Sequence, residues 1–406
     1  MSWTREQRNV TIAAYLGWTL DAFDFFLMVF VLKDIATEFN TGIPAVALAV
    51  TLTLAMRPIG ALIFGYLADR FGRRPTLMIN VACFSLLEFA SGFAPSLTAL
   101  LVLRALFGVA MGGEWGVGSA LTMETVPTRS RGLVSGILQA GYPSGYLLAS
   151  VVFGVLYQHI GWRGMFMVGV LPALLVLYVR SNVPESPGWK QMAKRPRPSL
   201  MSTLKHNWKL SIYAVVLMTA FNFFSHGTQD MYPTFLREQH HFAPHTVTWI
   251  SIALNLGAIA GGLAFGWGSE KIGRRRAIFI AALMALPVLP LWAFSSGAVA
   301  LAIGAVLMQI FEQGAWSVIP VHLNEISPEE VRATFPGFVY QLGNLLASGN
   351  AALQAQIAAS HGGNYGMALA IVTGIVAVVI AVLILFSPER RGIDMSRTSA
   401  GGAAAS

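Results

Sequence analysis

The chain has 406 residues, 55% of them hydrophobic and only 11% charged, against about 25% charged in an ordinary globular protein. A soluble fold cannot hide so much apolar surface. The formal charge of +8 raises nucleic acid as a partner, but the basic residues form no folded basic domain, so no nucleic-acid partner is expected.

In chain order, apolar runs of spanning length occupy residues 10–32, 45–68, 76–94, 97–120, 132–155, 163–180, 209–233, 246–268, 277–294, 298–320, 333–357 and 365–386. As helices they cross a hydrocarbon core of roughly 30 Å. They lack the period-two alternation of a membrane barrel, so the expected fold is all-α integral membrane, with the lipid bilayer as solvent. The first run follows Arg5 and Arg8, as a secretory signal would, but Asp21 and Asp24 interrupt it and no small-residue cleavage pattern follows. It is expected to be retained. Cys83 is the single cysteine, which excludes an intramolecular disulfide.

Placing both termini on one side puts 22 of the 27 Lys and Arg residues there, leaves Lys33, Arg163 and Arg237 on the other side, and leaves Arg57 and Arg104 in mid-span. That asymmetry obeys the positive-inside rule, so both termini are expected to be cytoplasmic. The short tails and the lack of an address segment fit a bacterial inner membrane, with a monomer as the expected working unit.

The chain repeats itself at an offset of 201 residues. Gly65, Asp69, Gly72, Arg73 and Arg74 recur as Gly266, Glu270, Gly273, Arg274 and Arg275. Gly113, Trp115, Glu124, Pro127, Arg131 and Gly136 recur as Gly314, Trp316, Glu325, Pro328, Arg332 and Gly337. Two parallel six-helix bundles follow, at 1–180 and 209–390, with a linker at 181–208 and a tail at 391–406. The Gly65 to Arg74 loop resembles the signature loop of the major facilitator superfamily. Arg104 with Gly108, and Gly136, Gly141, Pro143 and Gly145, are similar to two further motifs of that family. The resemblance implies twelve helices in two pseudo-symmetric halves around a central substrate site. In the loop, glycines permit close helix approach, while Asp69, Arg70, Arg73 and Arg74 hold or release a neighbouring helix end. With Gly65, Gly72 and Arg104, and with Glu270 and Arg274 in the second copy, they are the expected gate. The second copy carries Gly268 and Glu270 where the family commonly has leucine and aspartate.

An ionisable residue in mid-span faces a partner or a cavity. Such residues are Asp21, Asp24, Arg57, Glu88, Arg104, Glu114, His226, Asp230 and Glu312. Asn222, His226 and Asp230 recur at i, i+4 and i+8, one face of the seventh helix. Together with Ser225, Thr228, Gln229 and Thr234 they closely resemble the signature of lactate/pyruvate:proton symporters related to the fungal Jen-type carriers. Segments shared with that branch, which includes sialate carriers, are Trp18 to Asp24, Gly113 to Trp115, and Pro184 to Pro187.

A lactate anion moving against the membrane potential costs ~2.3 kcal/mol per 100 mV, and one co-transported proton cancels that cost. The expected function is therefore proton-coupled symport of a small monocarboxylate such as L-lactate or pyruvate. Sialate or aromatic-acid symport and monocarboxylate uniport are the alternatives. Asn222, His226 and Arg57 are the expected substrate ligands, joined by Gln341 through the resemblance. Asp24, Glu114, His226, Asp230 and Asp21 are the candidate proton carriers. The Gly-rich run from Gly108 to Gly118 lacks the preceding strand and the Gly-Lys ending of a phosphate loop. His240, His241 and His245 have no thiolate or acidic cluster beside them, so no metal, no cofactor and no enzyme activity are expected.

Overall fold

The computed structural model describes residues 3–194 and 200–395; the predicted linker residues 195–199 and the predicted tail beyond 395 lie outside them. Among the described residues every regular element is helical, and each of the twelve expected spans is present. Nine helical stretches among the described residues are individually long and apolar enough to cross a membrane. The rest are polar at one end or broken. The third span, Arg73–Ser91, opens on two arginines and carries Glu88. The fifth runs into the start of the sixth through Gly161, whose φ is 63°, before a break and a second segment, Ala173–Asn182. The eleventh is split into Thr334–Ala347 and Asn350–Ser360 around Ser348 and Gly349.

Local chemistry sets these ends. Thr4 begins the first span, Arg5–Phe30, with a reciprocal capping box to Gln7. Ser96 and Asn364 cap the fourth and twelfth spans through side-chain bonds to Ala99 N and Met367 N. Gly72 and Gly273, at φ 119° and 96°, turn the chain between the second and third spans and between the eighth and ninth. Proline and glycine divide the longer spans: Gly112 and Gly113 separate Leu97–Met111 from Glu114–Thr125, and Pro320 begins the short helix after Ala298–Ser317.

Within each half, glycines bring backbones together. A Cβ on Gly60 of the second span would lie 1.8 Å from Val109 O of the fourth, and one on Gly261 of the eighth 2.2 Å from Ile310 O of the tenth. These positions are 201 residues apart, so the repeat is one of packing as well as of sequence. Large apolar side chains such as Leu86, Leu174 and Ile375 face outward, where lipid is their natural contact.

The halves meet most tightly at the end that carries the repeated loops, the basic face. Gly132 and Gly136 of the fifth span abut Gly266 and Gly262 of the eighth, and Gly116 abuts Gly337. Ser135 Oγ donates to Ser317 O at 2.5 Å and accepts from Val321 N at 3.1 Å, while Asn324 donates to Ser119 Oγ at 3.2 Å. Among the described residues the opposite face has no comparable seam, and a cavity lies there between the halves.

Candidate functional site between the halves

The cavity has a volume of about 480 Å³. It is lined as far as Phe30 and Pro233, at the ends of the first and seventh spans remote from the basic face, and Trp18, Trp316 and Tyr340 lie at its inner end. Asn222, His226 and Asp230 line one wall, so the helical spacing read from the sequence places all three in a common space. Arg57 enters from the second span of the other half.

His226 is held by two contacts. Nδ1 lies 3.0 Å from Asp230 Oδ2, and Nε2 lies 2.8 Å from Asn344 Oδ1 of the eleventh span. A ring protonated on both nitrogens donates to both oxygens; a neutral ring satisfies one of them and meets the other only if the Asn344 amide turns over. The side chains of His226 and Asp230 are 27% and 39% accessible, so a proton can reach this pair from the cavity. Asn222 Nδ2 donates to Met218 O at 2.7 Å, which orients its amide.

Arg57 pairs with Asp21 at 3.3 Å, and both are buried. Arg104 does not meet Glu114. It bonds Glu88 at 2.5 Å and Ser91 at 2.9 Å, and its guanidinium lies 4.1 Å from the Phe107 ring centroid. Asp24 and Glu114 are fully buried outside the cavity wall, and among the described residues none of their carboxylate oxygens has a hydrogen-bond partner. Glu114 packs beside Gly17, and Asp24 beside Gly169. Gln341 is also buried outside the wall, with neither amide atom bonded among the described residues; the eleventh span turns Tyr340 and Asn344, four residues apart, to the cavity instead.

The loop residues gather at the basic face. Asp69 accepts from Ala333 N and Thr334 N, each at 3.0 Å, and from Thr334 Oγ1 at 2.5 Å, which caps the eleventh span from across the molecular midline. Arg73 holds Asp69 at 2.9 Å and Glu124 at 3.0 Å. Arg70 donates to Tyr66 Oη at 3.2 Å, and Arg74 N approaches Glu185 at 3.2 Å. In the second copy, Arg274 joins Glu270 and Glu325, each at 3.1 Å, and Glu270 accepts from Gly132 N of the fifth span. The glutamate thus makes a contact between halves, as Asp69 does.

Sequence reasoning passed over Trp18, Asn344 and Tyr340 as site residues, because nothing in their own spans marks which face meets a cavity. It named Glu312 as a mid-span acid without a role. Glu312 is buried behind Gln229, whose Nε2 lies 3.5 Å from Glu312 Oε2 and 3.2 Å from Gln309 Oε1.

The Major Facilitator Superfamily family model matches residues 14–229 and again 215–398. The chain belongs to the major facilitator superfamily. As a major facilitator it is an integral membrane transporter, not an enzyme. It is 27% identical to the "carboxylic acid transporter protein homolog" of Saccharomyces cerevisiae, over 98% of this chain and 70% of that protein. It is 29% identical to a "probable 4-methylmuconolactone transporter" of Cupriavidus pinatubonensis, over 96% and 92% of the two chains. It is 28% identical to the "sialic acid transporter NanX" of Escherichia coli, over 94% of each. A solved structure of the proton:xylose symporter XylE superposes with a TM-score of 0.79 at 19% identity, over 96% of this chain and 98% of that one, a likeness of fold.

Proposed function

We propose that this major facilitator is a secondary active transporter that carries a small monocarboxylate, lactate or pyruvate in the first instance, together with a proton by alternating access. The observation that carries the reading is His226 in the cavity wall, tied to Asp230 and Asn344, with Arg57 also lining the cavity. An anion needs donors in a site that excludes bulk water, and a titratable group beside it links proton and substrate occupancy. The names of the carboxylic acid and sialic acid relatives are in keeping with an organic-acid cargo.

In this reading Arg57, Asn222 and His226 receive the carboxylate, with Gln341 reached when the eleventh span moves. His226 and Asp230 exchange protons with the cavity, and Asp21, Asp24 and Glu114 form the buried acid set of the first half. Asp69 and Glu270, braced by Arg73 and Arg274, latch the basic face; the charge asymmetry supports a cytoplasmic setting for that face, in a bacterial inner membrane on this reading. The halves extend over 1–180 and 209–390.

The test is uptake of labelled lactate into proteoliposomes under an imposed inward proton gradient. Accumulation that collapses with a protonophore, and falls at least about ten-fold in His226→Ala, is the expected result. Equilibration without accumulation identifies a uniporter, and no lactate flux in folded protein rejects lactate as the cargo.

A further inference from the structure

The second half buries an acid to which the proposed function gives no part. Glu312, in the tenth span, is 0% exposed, and its Oε1 has no hydrogen-bond partner among the described residues. It stands one side chain back from the cavity, beside Ser225, Gln229 and Gln313, which line the wall. Ser225 and Gln229 are one turn apart on the seventh span and form a second polar stripe next to His226 and Asp230.

A chain of hydrogen bonds fixes what Gln229 presents to the acid. Thr228 Oγ1 donates to the backbone carbonyl of Phe224 at 3.0 Å, so it accepts in its 3.1 Å contact with Gln309 Nε2. Gln309 Oε1 is thereby turned toward Gln229 Nε2, at 3.2 Å. The same Nε2 lies 3.3 Å from Ser225 Oγ and 3.5 Å from Glu312 Oε2. Its two hydrogens face three acceptors, and Gln309 takes one of them. An ionised Glu312 therefore receives one long, shared bond on one oxygen and none on the other, poor compensation for a buried charge. A neutral carboxyl carries no such charge and has an O–H of its own to donate to Ser225. Of the ionisable groups on the helices packed against this span, His226, itself paired with Asp230, reaches Glu312 electrostatically; Arg131, Lys209, His245, Glu270 and Arg274 stand at helix ends.

We infer that Glu312 is the second-half group that carries the co-transported proton, taking it from the cavity past Ser225 and Gln229 and releasing it when the carrier opens to the other side. On uptake the carboxylate gains an O–H bond and becomes neutral; on release that bond breaks and the charge returns. The inference rests on the proton-symport reading above and adds a residue to it. Coupling follows from charge. A protonated His226 favours an ionised Glu312, and an anionic cargo at His226 and Arg57 opposes it, so cargo binding and proton uptake at Glu312 assist each other.

The experiment compares two lactate fluxes in proteoliposomes of the full chain: accumulation under an inward proton gradient, and counterflow against internal unlabelled lactate, which needs no net proton movement. Glu312→Gln, fixed in the neutral form, is expected to keep counterflow within about three-fold of wild type and to lose accumulation by about ten-fold or more. Glu312→Asp, which restores a titratable group, should recover part of that accumulation. Gln229→Leu, which withdraws the amide hydrogen from the carboxylate, should uncouple in the same way and takes over the test where Glu312→Gln does not fold. Accumulation at the wild-type level in the folded variant overturns the inference and leaves the symport reading standing. Loss of both fluxes in folded Glu312→Gln also overturns it, by giving the residue a structural part instead. A wild-type protein that accumulates no lactate overturns both.

Discussion

Four carboxylates of the first half, Asp21, Asp24, Glu88 and Glu114, are buried with two arginines, Arg57 and Arg104. Full ionisation would leave two uncompensated negative charges at membrane depth, a cost that protonation would relieve. The hydrogen bonds divide the four: Glu88 is bound by Arg104 and Asp21 by Arg57, whereas Asp24 and Glu114 have no hydrogen-bond partner among the described residues. The two kinds of acid predict opposite outcomes. Glu88→Gln leaves Arg104 buried with a weakened partner and should cost about 3 to 5 kcal/mol, read as a fall in thermal unfolding temperature in detergent. Asp24→Asn breaks no bond and should change stability by less than about 1 kcal/mol, while lowering the dependence of uptake on the proton gradient. A destabilised Asp24→Asn protein with normal proton dependence would reject this division.

At the scale of the helix, spacing between spans is set where side chains are missing. The second and fourth spans touch at Gly60, Gly108 and Gly112, and a Cβ on any of them would lie within 2.2 Å of a backbone oxygen opposite. Backbone cannot yield as a flexible side chain does, so Gly60→Leu must push the two helices apart. It should abolish or strongly lower the yield of folded protein, measured as the monodisperse fraction in detergent. Gly154, which has nothing within 4 Å of its Cβ position, is the control: Gly154→Ala should be neutral or stabilise the fifth span by about 0.5 to 1 kcal/mol. The glycine pattern within a helix is legible in the sequence. Which helix it meets is not, except where the 201-residue repeat supplies a second copy of the same pair.

At the scale of the molecule, the two copies of the loop close one face by different chemistry. Asp69 caps a helix start through two backbone amides and a hydroxyl, whereas Glu270 reaches the single backbone amide of Gly132. The first latch is therefore the stronger, and losing it should tilt the balance toward opening at the basic face. Asp69→Ala should lengthen spin-label distances across that face, read by pulsed electron resonance between the ends of the second and eleventh spans. Glu270→Ala should lengthen its own seam, between the fifth and eighth spans, by less. Equal distances in the wild type and in Asp69→Ala would remove Asp69 from the gate.

The amino-acid sequence by itself determined the solvent, the twelve spans, the two-fold repeat, the face that gathers the basic residues and the shared face of Asn222, His226 and Asp230. Each is fixed by hydrophobic length, charge placement or helical period, all properties of a single segment. Tertiary structure alone decided that Arg104 meets Glu88 rather than Glu114, that Asp24, Glu114 and Gln341 lie outside the cavity wall, and that Trp18, Tyr340 and Asn344 lie within it. The physical reason is rotational. The period of a helix fixes the angles among its own side chains, but how far the helix is turned toward its neighbours depends on packing with residues far away in the chain.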